Sequence, residues 1–207
     1  MSVHLVVGLG NPGRDCEQNR HNVGFMVVDA LAHAHGFSDG RAKYGGLFSR
    51  GILADRDVAL LKPSTFMNLS GESVQAAAAW LKVAPREIIV VHDELDLPWK
   101  TVRLKLGGGH AGHNGLRSVI QCLGSAEFVR LRVGIGRPPA SFRGEVSDWV
   151  LSNFDMGETA DLGGVVDIAK ETVVQVLRGG FEAATAQLHG LGAAKRPDEP
   201  TGREREK

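Results

Sequence analysis

The chain has 207 residues, 43% of them hydrophobic, with 24 Lys and Arg balanced by 24 Asp and Glu. That length supports one sizeable core, while no apolar run approaches the roughly 20 residues that span a bilayer, which excludes a helical membrane protein. With no basic-then-apolar leader to direct export, a cytoplasmic protein is expected, and Cys16 and Cys122 read as free thiols because they have no metal-type spacing and are too few for a disulfide framework.

Val3 to Val7 reads as a short buried strand. The stretch that follows, Gly8 to Gly24, holds Asn11, Arg20, His21 and Asn22, and apolar burial does not account for that composition. Its first half, Gly8-Leu-Gly10-Asn-Pro-Gly13, matches G-x-G-x-x-G. A dinucleotide fingerprint needs a helix starting at the third glycine, and no apolar face begins until Val23. Backbone demands alone explain Gly8 and Gly13. Val23 to His35 has helical spacing, with Phe25, Val28, Leu31 and Ala32 on one face and Gly36 as the stop. His33 and His35 read as end-of-helix residues.

Leu47 to Leu53 and Asp57 to Leu61 form an expected hairpin. Phe66 and Asn68 fall in the turn before an alanine-rich helix from about Val74 to Lys82, and Asn68 fits a plain cap there. Ile88 to Val91 is a continuous apolar run, the mark of a central strand. It ends in His92-Asp93-Glu94-Leu95-Asp96, and acids at the end of a buried strand are either turn caps or chemistry. Val102 to Leu106 alternates, placing Arg103 and Lys105 on one strand face. Gly107 to Gly115 is a glycine loop leading into a helix from Leu116 to Leu123, where free backbone N–H groups suit an anion. Phe128 to Ile135 alternates again and Pro138-Pro139 ends it. Helical patterns follow at Val146–Leu151, Gly157–Leu177 and Glu182–Leu188. The expected domain covers residues 1–191, and 192–207 is an expected disordered charged tail.

Strands alternating with helices predict an α/β fold, a single three-layer domain whose twisted sheet is mixed because of the early hairpin. Charge is unevenly spread: Lys100 to Arg143 holds eight Lys or Arg against one acid, Glu127, while Gly144 to Val174 holds seven acids and one Lys. That asymmetry fits either a polyanion-binding face or a solvated basic surface.

The polar loop residues make a set: Asn11, His21, Asn68, Asp93, His113 and Asn114. A histidine–carboxylate pair is the ordinary general base near neutral pH, and asparagine amides suit peptide groups. A serine nucleophile lacks its G-x-S-x-G elbow. Cys16 has only His21 nearby in sequence to activate it. A metal on His110, His113 and Asp93 is a weak reading of a glycine-rich loop. Water activated by His21 is the simplest scheme.

Six segments together resemble the bacterial-type peptidyl-tRNA hydrolases: Gly8–Gly13, Arg20-His-Asn-Val-Gly24, Thr65-Phe-Met-Asn-Leu-Ser-Gly71, His92-Asp-Glu-Leu-Asp-Leu-Pro98, Gly107–Arg117 and Arg130–Pro138. The resemblance runs from residue 3 to about 190. It implies hydrolysis of the ester between a peptide and the 3′ end of tRNA, by a monomer without metal or other cofactor. It implies His21 as base, Asp93 as its partner and Asn11 as the reader of N-blocked substrates. Asn68, His113 and Asn114 are implied to position substrate, Phe66 and Cys16 to meet the tRNA end, and Arg103, Lys105 and Arg132 to hold tRNA phosphate. The chain departs from the family pattern at Cys16, where Tyr is usual, at Asn19 and Ala111, where Thr and Gly are common, and at Trp99-Lys100, where Pro-Gly is common. Two other readings remain: a catalytically silent RNA-binding relative and a nucleotide-dependent oxidoreductase.

Overall fold

Seven strands form one mixed sheet in the computed structural model, which describes residues 3–193, with side chains described through 188. The strands are β1 (Val3–Gly8), β2 (Arg41–Lys43), β3 (Gly46–Leu53), β4 (Arg56–Pro63), β5 (Ile88–Glu94), β6 (Val102–Leu106) and β7 (Val129–Gly134), in the spatial order β2-β3-β4-β1-β5-β7-β6. The four central strands β4, β1, β5 and β7 run parallel. The β2-β3 hairpin extends one side antiparallel, and β6 closes the other.

The runs read as buried strands are apolar on both faces because both faces are covered. Val6, Ile89, Val91, Leu131 and Val133 pack with helices α1 (Val23–Ala34) and α5 (Met156–Ala193). Leu5, Val7, Ile88, Val90 and Phe128 pack on the opposite face with α2 (Ser70–Leu81) and α3 (Asn114–Leu123). These are the three layers expected. A fifth helix, α4 (Val146–Val150), packs Trp149 and Val150 in part against the core on the α1–α5 side.

Several boundaries shift for physical reasons. The edge strand β2 is too short and too polar to leave a period-2 signal. The helix expected from Val74 starts at Ser70, since Ser70, Gly71 and Ser73 are small enough to be buried, Gly71 against Ser118 of α3. On α1 the core stripe is Val23, Val27, Val28 and Leu31. Phe25 is half-buried beside it, with its ring against Gly10. The β3-β4 turn is two residues, Ala54 and Asp55, both at positive φ (51° and 59°), the geometry that matches the twist of a hairpin. The two last helical patterns are one segment broken at Gly180 (φ 83°, ψ 175°). The expected tail lies outside the described residues except for 192 and 193, which end α5.

One close approach decides where the loop after β1 can sit. A Cβ on Gly24 would stand 2.4 Å from the Val91 carbonyl oxygen and 2.5 Å from that of Leu9. Only a glycine lets the start of α1 lie against the ends of β1 and β5. Gly24→Ala is therefore expected to destabilise the protein by about 3 kcal/mol, as overpacking against rigid backbone does. Guanidinium titration should give a lower midpoint at unchanged slope.

Candidate active site

The chain leaves β1 in one direction, through α1 towards the β3-β4 hairpin, and leaves β5 in the other, towards β7. The carboxyl ends of β1 and β5 are thus a switch point, where open α/β sheets bind ligands. A cavity of about 770 Å³ opens there, lined by Asn11, His21, Phe66, Met67, Asn68, Asp93, His113, Asn114 and residues of α4.

Asp93 lies near the end of β5 with only 3% of its surface exposed. One of its oxygens takes two contacts: Oδ1 is 2.8 Å from His21 Nδ1 and 3.0 Å from His113 Nε2. Burial alone would raise the Asp93 carboxyl. The two imidazoles, by charge and by hydrogen bond, outweigh that and hold it well below the usual carboxylate range. At His21 burial opposes the charged form, yet the Asp93 carboxylate and its hydrogen bond prevail and raise the imidazole above its ordinary 6.5.

Each histidine's tautomer follows from its partners. His113 Nδ1 accepts the N–H groups of Gly115 and Leu116 at 3.1 and 3.3 Å, capping α3, so its Nε2 carries the proton given to Asp93. The anion site expected at this glycine-rich helix start is thereby filled by the protein's own imidazole. His21 donates from Nδ1, which leaves Nε2 with a free lone pair. His92 is buried behind His113, with ring centroids 5.1 Å apart, and donates Nδ1–H to the Asp93 carbonyl at 2.7 Å. Burial first, and then His113, lower its pKa to about 3, so it stays neutral.

His21, Asp93 and His113 form a potential metal-ligand trio. Ligands at about 2.0–2.1 Å around a tetrahedral zinc stand farther apart than these N···O contacts of 2.8 and 3.0 Å. Protons between the atoms account for the spacing. His110, the other histidine weighed as a ligand, instead accepts Gly112 N–H at 3.1 Å and lies outside this trio.

Asn11 and Asn22 interlock. Asn22 Oδ1 accepts the Asn11 N–H at 2.8 Å, and Asn22 Nδ2 donates to the Asn11 carbonyl at 2.9 Å. Asn11 Oδ1 accepts Met67 N–H at 2.8 Å, so its NH₂ is the end left for the cavity. Asn68 is not the cap of α2: position 69 caps that helix, without a side-chain bond, and Asn68 lies exposed on the cavity wall. Asn114, the first residue of α3, is exposed on the same wall, and Phe66 stands 69% exposed at its rim.

The remaining expected residues lie outside the cavity lining. Cys16, in a 3-10 turn (Arg14–Cys16), is half-buried. Strand pairing sets Arg103 opposite Arg132 and Lys105 opposite Arg130, so four cations share one face at the β6 edge. They differ in state. Lys105 is exposed, Arg103 is half-buried with Nη1 on the Val102 carbonyl at 3.0 Å, and Arg132 is ion-paired to Glu94 at 2.9 Å.

Two buried arginines carry structure that the sequence pattern does not signal. Arg130 donates both terminal nitrogens to the carbonyls of Gly108 and Gly109, pinning the glycine loop. Arg20 donates to Ser152 Oγ at 2.7 Å, to the Asn153 carbonyl and to Glu158, with its guanidinium 3.8 Å over the Trp149 ring. The α4 residues Val146, Ser147, Val150 and Leu151 also line the cavity. An alternating strand pattern predicts an outward face for arginine, and a five-residue helix leaves little periodicity to read.

Fold and site together define an α/β protein with a histidine–carboxylate centre at the switch point of its sheet. A family model for peptidyl-tRNA hydrolase matches residues 5–198. A peptidyl-tRNA hydrolase of Sorangium cellulosum is 57% identical over 180 residues, covering 87% of this chain and 81% of the relative. One of Geobacter sulfurreducens is 49% identical over 181 residues, covering 87% and 92%. The crystal structure of peptidyl-tRNA hydrolase from Acinetobacter baumannii superposes with a TM-score of 0.83 at 41% identity, covering 90% of this chain and 94% of that one. The chain belongs to the peptidyl-tRNA hydrolase family and is an enzyme of that class. No described helix is long and apolar enough to cross a membrane.

The depressed carboxyl of Asp93 has a consequence for stability. A group with a lowered folded pKa contributes stability that is complete above its unfolded value, near 3.8, and is lost as pH falls through the folded value. His21 is charged in folded and unfolded chains throughout that acid window, so it does not mask the effect. Between pH 5 and 2 (roughly one unit above the unfolded pKa to well below it), stability is expected to fall more steeply in the parent than in Asp93→Asn. Denaturant titrations at each pH measure the difference.

Proposed function

We propose that the enzyme hydrolyses the ester joining a peptide, or an N-blocked amino acid, to the 3′ ribose of tRNA, by attack of a water that His21 deprotonates. The observation that carries this reading is the His21 Nδ1–Asp93 contact of 2.8 Å, which commits one nitrogen and leaves Nε2 as the base beside the cavity. Water gives its proton to Nε2 while its oxygen bonds to the ester carbonyl carbon. As the C–O bond to the ribose breaks, the proton passes from imidazolium to the departing 3′ oxygen. The Asp93 carboxylate fixes the tautomer and stabilises the imidazolium that forms in between. His113 holds the second approach to Asp93 Oδ1, so the carboxylate stays aligned in a dry setting.

The amides divide the substrate. Asn11 presents its NH₂ because Met67 N–H holds its oxygen, and an NH₂ seeks a carbonyl. An N-blocked aminoacyl group offers an acyl carbonyl that a free amino end lacks. Asn68 and Asn114 stand free on the wall to position peptide and ester, and exposed Phe66 suits the terminal base. Cys16 in place of an aromatic removes a stacking surface near the tRNA end. Arg103, Lys105 and Arg132 form the phosphate track, consistent with the basic stretch around them. The setting is a monomer in the cytoplasm, with no metal in the reaction.

Incubation with N-acetyl-aminoacyl-tRNA should release N-acetyl amino acid. His21→Ala should lower kcat by about 10²- to 10⁴-fold with tRNA binding retained. Because Asp93 raises the His21 pKa, and the base works unprotonated, the acid limb of kcat/KM should lie above pH 6.5. Asp93→Asn removes the raising charge and leaves burial, so the limb should move to lower pH as the rate drops. A limb that stays put in Asp93→Asn would refute the pairing.

The cation states order the binding effects. Lys105→Ala should reduce the slope of log affinity against log salt by about 0.7–0.9, the value for one phosphate contact. Arg132→Ala should weaken tRNA binding more than its slope change implies, because it also releases the Glu94 carboxylate towards the RNA. Filter binding across a salt series separates the two.

A further inference from the structure

Arg20 directly precedes His21, yet its side chain turns away from the reacting groups. It is 2% exposed and meets the segment that carries one wall of the cavity. That wall is α4 with Leu151, and α4 has no buried residue of its own. Five residues are far below the length at which a helix holds itself together in water. Its place comes from its surroundings, and most of its polar tethers, with those of the residues just after it, run to positions 19 and 20. The Trp149 ring lies under the Arg20 guanidinium, with Cζ 3.8 Å from the ring centroid. Arg20 N–H donates to the Ser152 carbonyl at 3.0 Å, and Asn19 bridges Asn153. The guanidinium fork closes on Ser152, Asn153 and Glu158. Other contacts are independent of this clamp: Trp149 Nε1–H donates to the Gly136 carbonyl at 2.9 Å, the Phe142 ring stands against Trp149, and Trp149 and Val150 pack in part against the core on the α1–α5 side.

His21 does not need Arg20 to stay in place. Asp93 holds its Nδ1, Asn22 is interlocked with Asn11, and Gly24 seats the following helix on the sheet. Losing the clamp therefore frees the wall and not the base. We propose that Arg20 is a positioning residue for substrate binding: it fixes the α4 wall against the turn of His21, so that the cavity is preformed on the side where Val146, Ser147, Val150 and Leu151 face the substrate. The inference rests on the cavity being the substrate site. Arginine is required, not merely a cation, because the clamp uses a flat face on Trp149 and a fork of donors at once.

The test uses the full-length enzyme with N-acetyl-aminoacyl-tRNA. Arg20→Lys keeps the charge facing Glu158 but loses the fork and the flat face. It should raise KM by about tenfold, the factor of one contact of 1.4 kcal/mol, with kcat within about threefold and the acid limb of the pH profile unmoved. Trp149→Leu removes the opposite half of the clamp and should reproduce the KM change. Trp149→Phe, which keeps a ring, should restore most of the parental KM. A fall in kcat or a shifted acid limb at parental KM in Arg20→Lys would overturn the proposal, since Arg20 would then act on His21. Parental KM in both Arg20→Lys and Trp149→Leu would overturn it too. If Arg20→Lys does not fold by circular dichroism, the two Trp149 variants decide the matter alone. An inactive parent enzyme would instead strike at the substrate reading.

Discussion

The site is built around a buried negative charge. An isolated carboxylate inside a sheet is too costly to stay ionised, so it must be paired and hydrogen-bonded or take up a proton. Asp93 meets that demand with two imidazole N–H groups on one oxygen. Each comes from a different loop, one after β1 and one before α3, and this shared atom fixes the distance between them. The His21 and His113 rings stand 5.0 Å apart as a result. A centre that needs a carboxylate at the floor of the sheet thus also dictates how the two polar loops close over it.

Loops alone do not hold such a geometry, and here buried arginines do. Arg130 grips the glycine loop by two carbonyls, and Arg20 grips the α4–α5 junction by a hydroxyl, a carbonyl, a carboxylate and a ring. Burial lowers the pKa of both guanidinium groups, but arginine remains charged because its ordinary value is so high. It is the side chain that can satisfy several acceptors from inside a protein without losing its proton. Arg20 has an acid, Glu158, as partner. Arg130 makes its hydrogen bonds to neutral carbonyls and lies over the Phe128 ring, 4.8 Å from its centre, with Glu94 near enough to favour its charge.

How much of this is legible in the sequence depends on whether a residue breaks a pattern. Asp93 is visible because an acid two positions past Val91, at the end of a buried apolar run, is out of place in packing terms. His21 and Asn11 are visible because a loop of that composition has no packing explanation. The parallel core and the hairpin follow from apolar runs and turn chemistry. What is not legible are the residues whose role contradicts the average behaviour of their type. Arg130 and Arg132 alternate identically with the apolar residues of β7, yet one is buried in carbonyls and the other is paired to Glu94 near the surface. Strand periodicity reports a face, not what covers it. Asn68 fits a cap by position, and only the three-dimensional path shows that it reaches the cavity instead. The glycine loop promises free N–H groups, but His113 folds back onto the two that matter.

His92 keeps a further positive charge out of the site. It is the side chain packed behind His113, fully enclosed, and it has its Nδ1 proton committed to a backbone carbonyl. A protonated imidazole there would add a cation within contact of His113 and compete for the field of Asp93. Burial removes that option by holding its pKa to about 3, so His92 supplies shape and a fixed dipole without charge. His113 is likewise committed at both nitrogens, to Asp93 and to the helix start. Of the three clustered imidazoles, then, only His21 combines a raised proton affinity with an uncommitted nitrogen. The same buried carboxylate produces both properties: its charge favours the protonated imidazole of His21, and its hydrogen bond to Nδ1 leaves Nε2 as the free nitrogen, the two properties that the proposed base requires.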